Sequence, residues 1–275
     1  MSKAYRVKKA LRKLLKIVLI ITAIIILFVI ISLVHHKICS SKEKDLLTPL
    51  GELVEVNGHN MSIYTEGEGN KTLVFLSGGG TCSPILDFKS LYSLLSNEYK
   101  IVVVEKLGYG FSDIVEEKRD IDTILSETRM ALDQAEIQGP YVLCPHSLSG
   151  LEALYWAQKY PDEVEAIVGL DMAVPAYYDE MDISIPMMKL GHYGAVLGIT
   201  RWIPSLAESD AIKYGTLSEK EKEPYKNSLY NEMYIKKSLC MQNMTESELD
   251  KIMYRLLEEY LDNITSTKKV TTNEK

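Results

Sequence analysis

The sequence predicts an α/β protein: a doubly wound, mostly parallel sheet with a helical cap, preceded by one membrane-spanning helix. Three observations carry that prediction. Residues 73–76, 101–104, 141–144 and 166–170 are apolar without alternation, as strands are when both faces of their sheet are covered. Between them lie stretches with helical spacing, Ile85, Phe88, Leu91, Leu94 and Leu95, then Ile121, Ile124, Leu125, Met130 and Leu132. Near the N-terminus, residues 17–34 give 18 successive positions without a charge, enough to cross a bilayer as a helix.

The apolar run follows Arg6, Lys8, Lys9, Arg12, Lys13 and Lys16, with no acidic residue among the first 16. The positive-inside rule keeps that end cytoplasmic and places the remainder on the outer face of the membrane. A cleavable signal peptide has a shorter apolar region and a small-x-small site. Here His35, His36, Lys37 and Ile38 follow, so the run is read as an uncleaved anchor. The same residues argue against a lipoprotein signal ending at Cys39.

Counting Lys3 with those six, the leading segment holds seven of the 31 basic residues. The rest carries 24 against all 38 acidic residues, a balance of −14, which repels phosphate backbones and excludes nucleic acid as an expected partner. Cys39, Cys82, Cys144 and Cys240 show neither C-x-x-C spacing nor a neighbouring histidine pattern that would hold zinc, so no metal and no cofactor is expected. Cys144 lies in an apolar strand and is read as core packing.

With 275 residues, 46% of them apolar, the chain suffices for one globular domain with a substantial core plus an appendage. It divides into a basic segment at 1–16, the anchor at 17–34, a linker at 35–50, the α/β core at 51–172, a helical cap at 173–262 and a polar tail at 263–275. The core opens with a hairpin, residues 53–56 and 61–64 flanking Asn57-Gly58, a dipeptide that tolerates the positive φ angles of a tight turn. After Asp171 the strand signal ends, and Pro175, Pro186, Pro204 and Pro224 divide the cap into short helices. Its last helix is marked by a Thr245/Glu248 capping box and by a stripe of Leu249, Ile252, Met253, Leu256, Leu257 and Tyr260.

The segment that bears chemistry is residues 141–151, Tyr-Val-Leu-Cys-Pro-His-Ser-Leu-Ser-Gly-Leu, a strand turning into a helix that runs to about Lys159. A serine held at such a turn by a strained backbone projects its hydroxyl, and the helix N-terminus behind it favours developing negative charge. The bland alternative for a serine between strand and helix is an N-cap.

In this segment the chain resembles the α/β-hydrolase superfamily, whose usual elbow is G-x-S-x-G; Pro145 and Ser149 stand where the two glycines would. Three further segments carry the resemblance. Val74-Phe75-Leu76-Ser77-Gly78-Gly79-Gly80 matches the strand and oxyanion loop, Glu105-Lys106-Leu107-Gly108-Tyr109-Gly110-Phe111-Ser112-Asp113 matches the D-x-x-G-x-G-x-S-D loop, and residues 156–171 match the passage from the elbow helix to the next strand. The resemblance implies Ser147 as nucleophile, and the backbone N–H groups of Gly79 and Leu148 as an oxyanion hole. A phosphate-binding loop is the alternative for 78–80, but no Gly-Lys-Ser/Thr ending follows.

Serine needs a base, usually a histidine oriented by a carboxylate. His35 and His36 border the anchor, His59 lies in the first hairpin, His146 adjoins the serine and His192 falls in the cap, so none occupies the position the superfamily uses. Asp171 is open to two readings, triad acid or loop-shaping residue. Residues 262–275 hold no apolar strand, so the sheet is expected to end at 166–170 with an exposed apolar edge. The expected function is a membrane-anchored serine hydrolase that cleaves an ester, amide or related acyl bond of a small-molecule substrate through Ser147. The alternatives are a binding protein that has lost the base and a truncated form of a longer hydrolase.

Overall fold

The computed structural model describes residues 3–43, 48–79, 81–115, 119–174, 185–203, 205 and 209–230. A single helix, α1 (Lys3–Glu43), leads into the sheet. It is long and apolar enough to cross a membrane, and at 1.5 Å per residue it measures about 60 Å. It continues through residues 35–43, whose polar composition reads as linker. Side chains of a distant turn hold that stretch, with Arg201 donating to His36, Ser40 and Glu43.

The hairpin of β1 (Glu52–Val56) and β2 (His59–Glu66) turns at Asn57 and Gly58, both left-handed with φ of 53° and 81°. Then come β3 (Thr72–Leu76), α2 (Pro84–Leu95), β4 (Lys100–Glu105), α3 (Ile121–Gln134), β5 (Tyr141–Ser147) and α4 (Ser149–Lys159). With β6 at Val164–Ile167, the strand order is β1-β2-β4-β3-β5-β6, antiparallel up to the β2–β4 pair and parallel thereafter. This is the fold class the apolar runs predict.

Each face of the sheet has its own core. On one, Val74, Leu76, Val102, Val104 and Leu143 pack under Leu125, Ala131 and Leu132 of α3 and Trp156 of α4. On the other, Leu73, Phe75, Ile101, Val103 and Cys144 pack under Ile85, Phe88 and Tyr92 of α2. Both faces of β3 and β4 are thereby covered, and that is why their sequences run apolar without alternation.

The single strand predicted over 166–170 is two short ones, β6 (Val164–Ile167) and β7 (Leu170–Met172), both paired with β5. They part at Val168, whose N–H donates to the Leu143 carbonyl at 2.8 Å, and at Gly169. Beyond them β5 shifts register between His146 and Ser147. Among the described residues β6 pairs only with β5, and Ala166 and Val168 beside its free edge are exposed.

The described part of the cap comprises α5 (Ile185–Val196), a 3-10 turn at Ile199–Trp202, α6 (Asp210–Lys213) and α7 (Glu219–Tyr230). Helix α7 is fastened to α2 through Lys89–Glu221 and through Tyr225, whose hydroxyl donates to Asp87. The helix expected from the Thr245/Glu248 box and the polar tail lie outside the described residues.

Candidate active site

Ser147 closes β5 with φ of +51°, a left-handed conformation that costs an L-residue about 1–2 kcal/mol. Leu148 at once adopts helical angles, φ −53° and ψ −28°, and opens α4. The chain therefore reverses from strand to helix within one residue. Something must hold that conformation against its cost, and Ser149 supplies much of it. Its buried hydroxyl donates to the Leu76 carbonyl at 2.7 Å and lies 2.9 Å from both the backbone N–H and the carbonyl of His146. The elbow is thus clamped on itself and tied across to β3. Pro145 keeps its place opposite Leu76 without disturbing the β3–β5 register.

Two glycines make room for the elbow. A Cβ on Gly78 would lie 2.6 Å from Ser147 Cβ and 2.8 Å from the His146 carbonyl; on Gly150 it would lie 2.2 Å from the Ala173 carbonyl. Both are closer than side chains tolerate, so the loop after β3 and the segment after β7 touch the elbow backbone to backbone. Ala173 N–H also donates to the Ser147 carbonyl at 2.8 Å. Gly79 follows Gly78 on the exposed side of the same turn, and Leu148 N–H stands at the start of α4, where amides lack intrahelical acceptors.

Behind this surface lies a buried ion pair that motif reading passes over. Lys106 emerges from the end of β4, donates to the Ser77 carbonyl at 2.9 Å and pairs with Glu152 in the first turn of α4. The preceding residue, Glu105, is fully buried and accepts from Phe111 N–H at 2.7 Å; Gly110 passes so close that a Cβ there would strike its carboxylate. Ser112 and Asp113 fasten the end of the loop to β2, accepting from Ser62 N–H at 2.8 Å and Asn60 N–H at 2.7 Å. The 105–113 segment is thereby a brace. The signal that could have exposed Lys106 was the adjacent pair of opposite charges, Glu105-Lys106, closing an apolar strand.

The histidines do not converge on the serine. The His146 ring stands edge-on to Phe88, centroids 6.0 Å apart; His35 and His36 belong to α1 and His59 to the first hairpin. The His192 side chain lies outside what is described. Among the described residues no histidine hydrogen-bonds Ser147. Asp171 is exposed, has φ of +49°, and sits in β7 beside the Met172 that pairs with Ser147. Among the described residues no group of three or more histidine, cysteine, aspartate or glutamate side chains could hold a metal. Cys82 and Cys144 are buried, and burial pushes the Cys144 thiol up to about 12.

A family model described as the alpha/beta hydrolase fold matches residues 71–190, the span from β3 through the elbow and into α5. The chain belongs to the α/β-hydrolase fold family. It is 42% identical over 223 residues to the uncharacterized protein YbdG of Bacillus subtilis (strain 168), across 79% of this chain and 69% of that one. The haloalkane dehalogenase DbeA-M1 loop variant from Bradyrhizobium elkanii superposes with a TM-score of 0.56 at 14% identity, covering 75% of this chain and 74% of the other. The meta-cleavage product hydrolase CumD from Pseudomonas fluorescens IP01 gives 0.52 at 18%, covering 74% and 71%. At such identities the two structures speak for the fold alone. One is named a dehalogenase and the other a meta-cleavage product hydrolase, so the chemistry of this member has to be argued from its own elbow.

Proposed function

We propose that this protein is a membrane-anchored serine hydrolase that attacks an ester, amide or related acyl bond of a small-molecule substrate with Ser147. The observation that carries the proposal is the left-handed backbone of Ser147 at the strand-to-helix junction. A serine serving only as an N-cap has extended angles and needs no such strain. In the proposed reaction Ser147 Oγ adds to the acyl carbon, and the oxygen that becomes negative is received by Gly79 and Leu148 N–H, with the α4 N-terminus behind them. The oxyanion then re-forms the carbonyl as the bond to the leaving group breaks, the leaving group takes up the proton that Ser147 Oγ gave up, and water adds to the acyl-enzyme, releasing the acid and returning a proton to Ser147. α1 holds the domain at the membrane, with the basic N-terminal segment cytoplasmic and the hydrolase domain on the outer face.

A second reading is favoured by one observation: among the described residues no histidine hydrogen-bonds Ser147. A protein that keeps the elbow without a base binds acyl ligands and does not turn them over. One experiment separates the two. Full-length protein in detergent micelles is treated with a fluorophosphonate and mapped by mass spectrometry beside Ser147→Ala. The hydrolase reading expects a single adduct on Ser147, absent from the variant. A folded sample that takes no label refutes it and leaves the binding reading.

A further inference from the structure

The turn at Ile199–Trp202 grips α1 at one definite height. Arg201 donates to both Glu43 carboxylate oxygens, at 2.8 and 2.6 Å, and to His36 Nδ1 at 2.9 Å. Trp202 Nε1 donates to Ser32 Oγ at 3.1 Å, and its ring lies 5.8 Å from that of Phe28 and 5.3 Å from that of His35, centroid to centroid. Gly198, with φ of +71°, lets the backbone close in; a Cβ there would fall 2.5 Å from His36 Cβ.

The uncharged run of α1 ends at Val34. At 1.5 Å per residue, Ser32 lies about 3 Å inside that end and Phe28 about 9 Å inside, whereas His36 lies about 3 Å and Glu43 about 14 Å beyond it. Trp202 therefore occupies the depth where tryptophan collects in membrane proteins, an apolar ring with its N–H satisfied, and Arg201 occupies the headgroup layer above. A cap gripped there cannot stand clear of the bilayer surface.

Helix α5 ends two residues before Gly198. Its Leu190, Tyr193 and Val196 recur at three-residue intervals and are all exposed, Leu190 by 68% and Tyr193 by 60%. Added Cβ atoms on Gly191 and Gly194 would meet nothing within 4 Å, and Ile203 just past the turn is exposed as well. A helix with Lys189 as its sole charge should not expose such a stripe to water.

We propose that this face, Leu190, Tyr193 and Val196 of α5 with Trp202 and Ile203, is a bilayer-docking surface that rests in the interfacial layer of the leaflet on the Val34 side of α1. The inference rests on α1 being a membrane span. It adds that the cap itself is immersed, with lipid acyl chains as the partner.

The protein has two tryptophans, Trp202 and the core residue Trp156, which is 1% exposed. Full-length chain is reconstituted into phosphatidylcholine vesicles with ordinary or brominated acyl chains and recovered by flotation. Bromine should quench the wild-type emission by roughly half, and Trp202→Phe should remove that loss. In the Trp202→Phe background, Leu190→Trp and Tyr193→Trp should each restore it, and Ser126→Trp, on the exposed side of α3, should not. Trp156 is common to all variants and reports that the core has formed. Quenching of native Trp202 without quenching at either α5 position would mean that protein, another segment or a second copy, covers this face, and would overturn the proposal. Failure of the wild type to float with the vesicles would overturn the anchor reading and this proposal with it.

Discussion

Replacing Lys106 with methionine should unfasten the elbow from behind. The Lys106 and Glu152 side chains are only 5% and 13% exposed, so solvent screens their attraction weakly. Methionine retains most of the volume, and packing changes little. What disappears is a charged donor to the Ser77 carbonyl, worth about 1.5–3 kcal/mol, together with the partner of a carboxylate that stays largely buried. Breaking a buried pair from one side costs about 3–5 kcal/mol. The two losses share one ammonium and overlap, so the total expected is about 3–5 kcal/mol. Urea unfolding of the full-length protein in micelles, followed by tryptophan emission, measures it. Glu152→Leu should be similarly costly. The double variant should recover at least about 1 kcal/mol relative to the sum of the two, because it leaves no orphaned charge. A loss below about 1 kcal/mol for Lys106→Met, or a double variant equal to the sum of the singles, would refute the coupling.

Gly78→Ala should destabilise by about 1–3 kcal/mol, since its Cβ meets elbow backbone with no room to yield; it should also slow fluorophosphonate labelling of Ser147 by at least roughly tenfold. An unchanged labelling rate would mean that the loop after β3 does not set the position of Ser147. Glu163 accepts from Arg129 Nε and Trp156 Nε1, both at 2.8 Å, and the Arg129 contact holds its carboxyl below the usual range. A carboxyl depressed in the fold stabilises above its ordinary range and loses that contribution as pH falls. Glu163→Gln should therefore cost about 1 kcal/mol at neutral pH, the pair being one-third exposed, and the gap should close below about pH 4 in unfolding measured against pH. For Cys144 the sign is opposite. Burial raises its thiol to about 12, so its contribution is whole below the unfolded value near 8.5 and declines as pH rises from there toward 12. Iodoacetamide at pH 9 should spare Cys144 in the native protein and modify it in urea.

Most of the sheet could be read from the sequence because its strands are buried on both faces and its first turn has a local signature. Asn57 and Gly58 readily adopt the positive φ they show, and the runs at 73–76 and 101–104 have the unbroken apolar character of strands covered on both faces. What escaped was set by partners far along the chain. The apolar run at 166–170 does not encode where pairing with β5 lapses. The extension of α1 through residues 35–43 depends on Arg201, some 160 positions away.

The elbow shows the same division within one motif. Sequence comparison registers Ser149 as a departure from glycine, and size alone accounts for its being tolerated. The structure gives it a positive role, since a glycine has no hydroxyl to donate to the Leu76 carbonyl or to accept from the His146 N–H. Side chains at this position cross-link the very residues that strain Ser147, so the hydroxyl partly offsets the left-handed backbone it adjoins. Pro145 belongs to the same arrangement. Its fixed φ suits an extended strand, and the reversal it would resist begins only two residues later, at Ser147. The close approach that the usual glycine before the serine would permit is provided from the opposite side, by Gly78 on the loop after β3. The motif's letters have changed while the steric requirement they serve has moved to neighbouring residues.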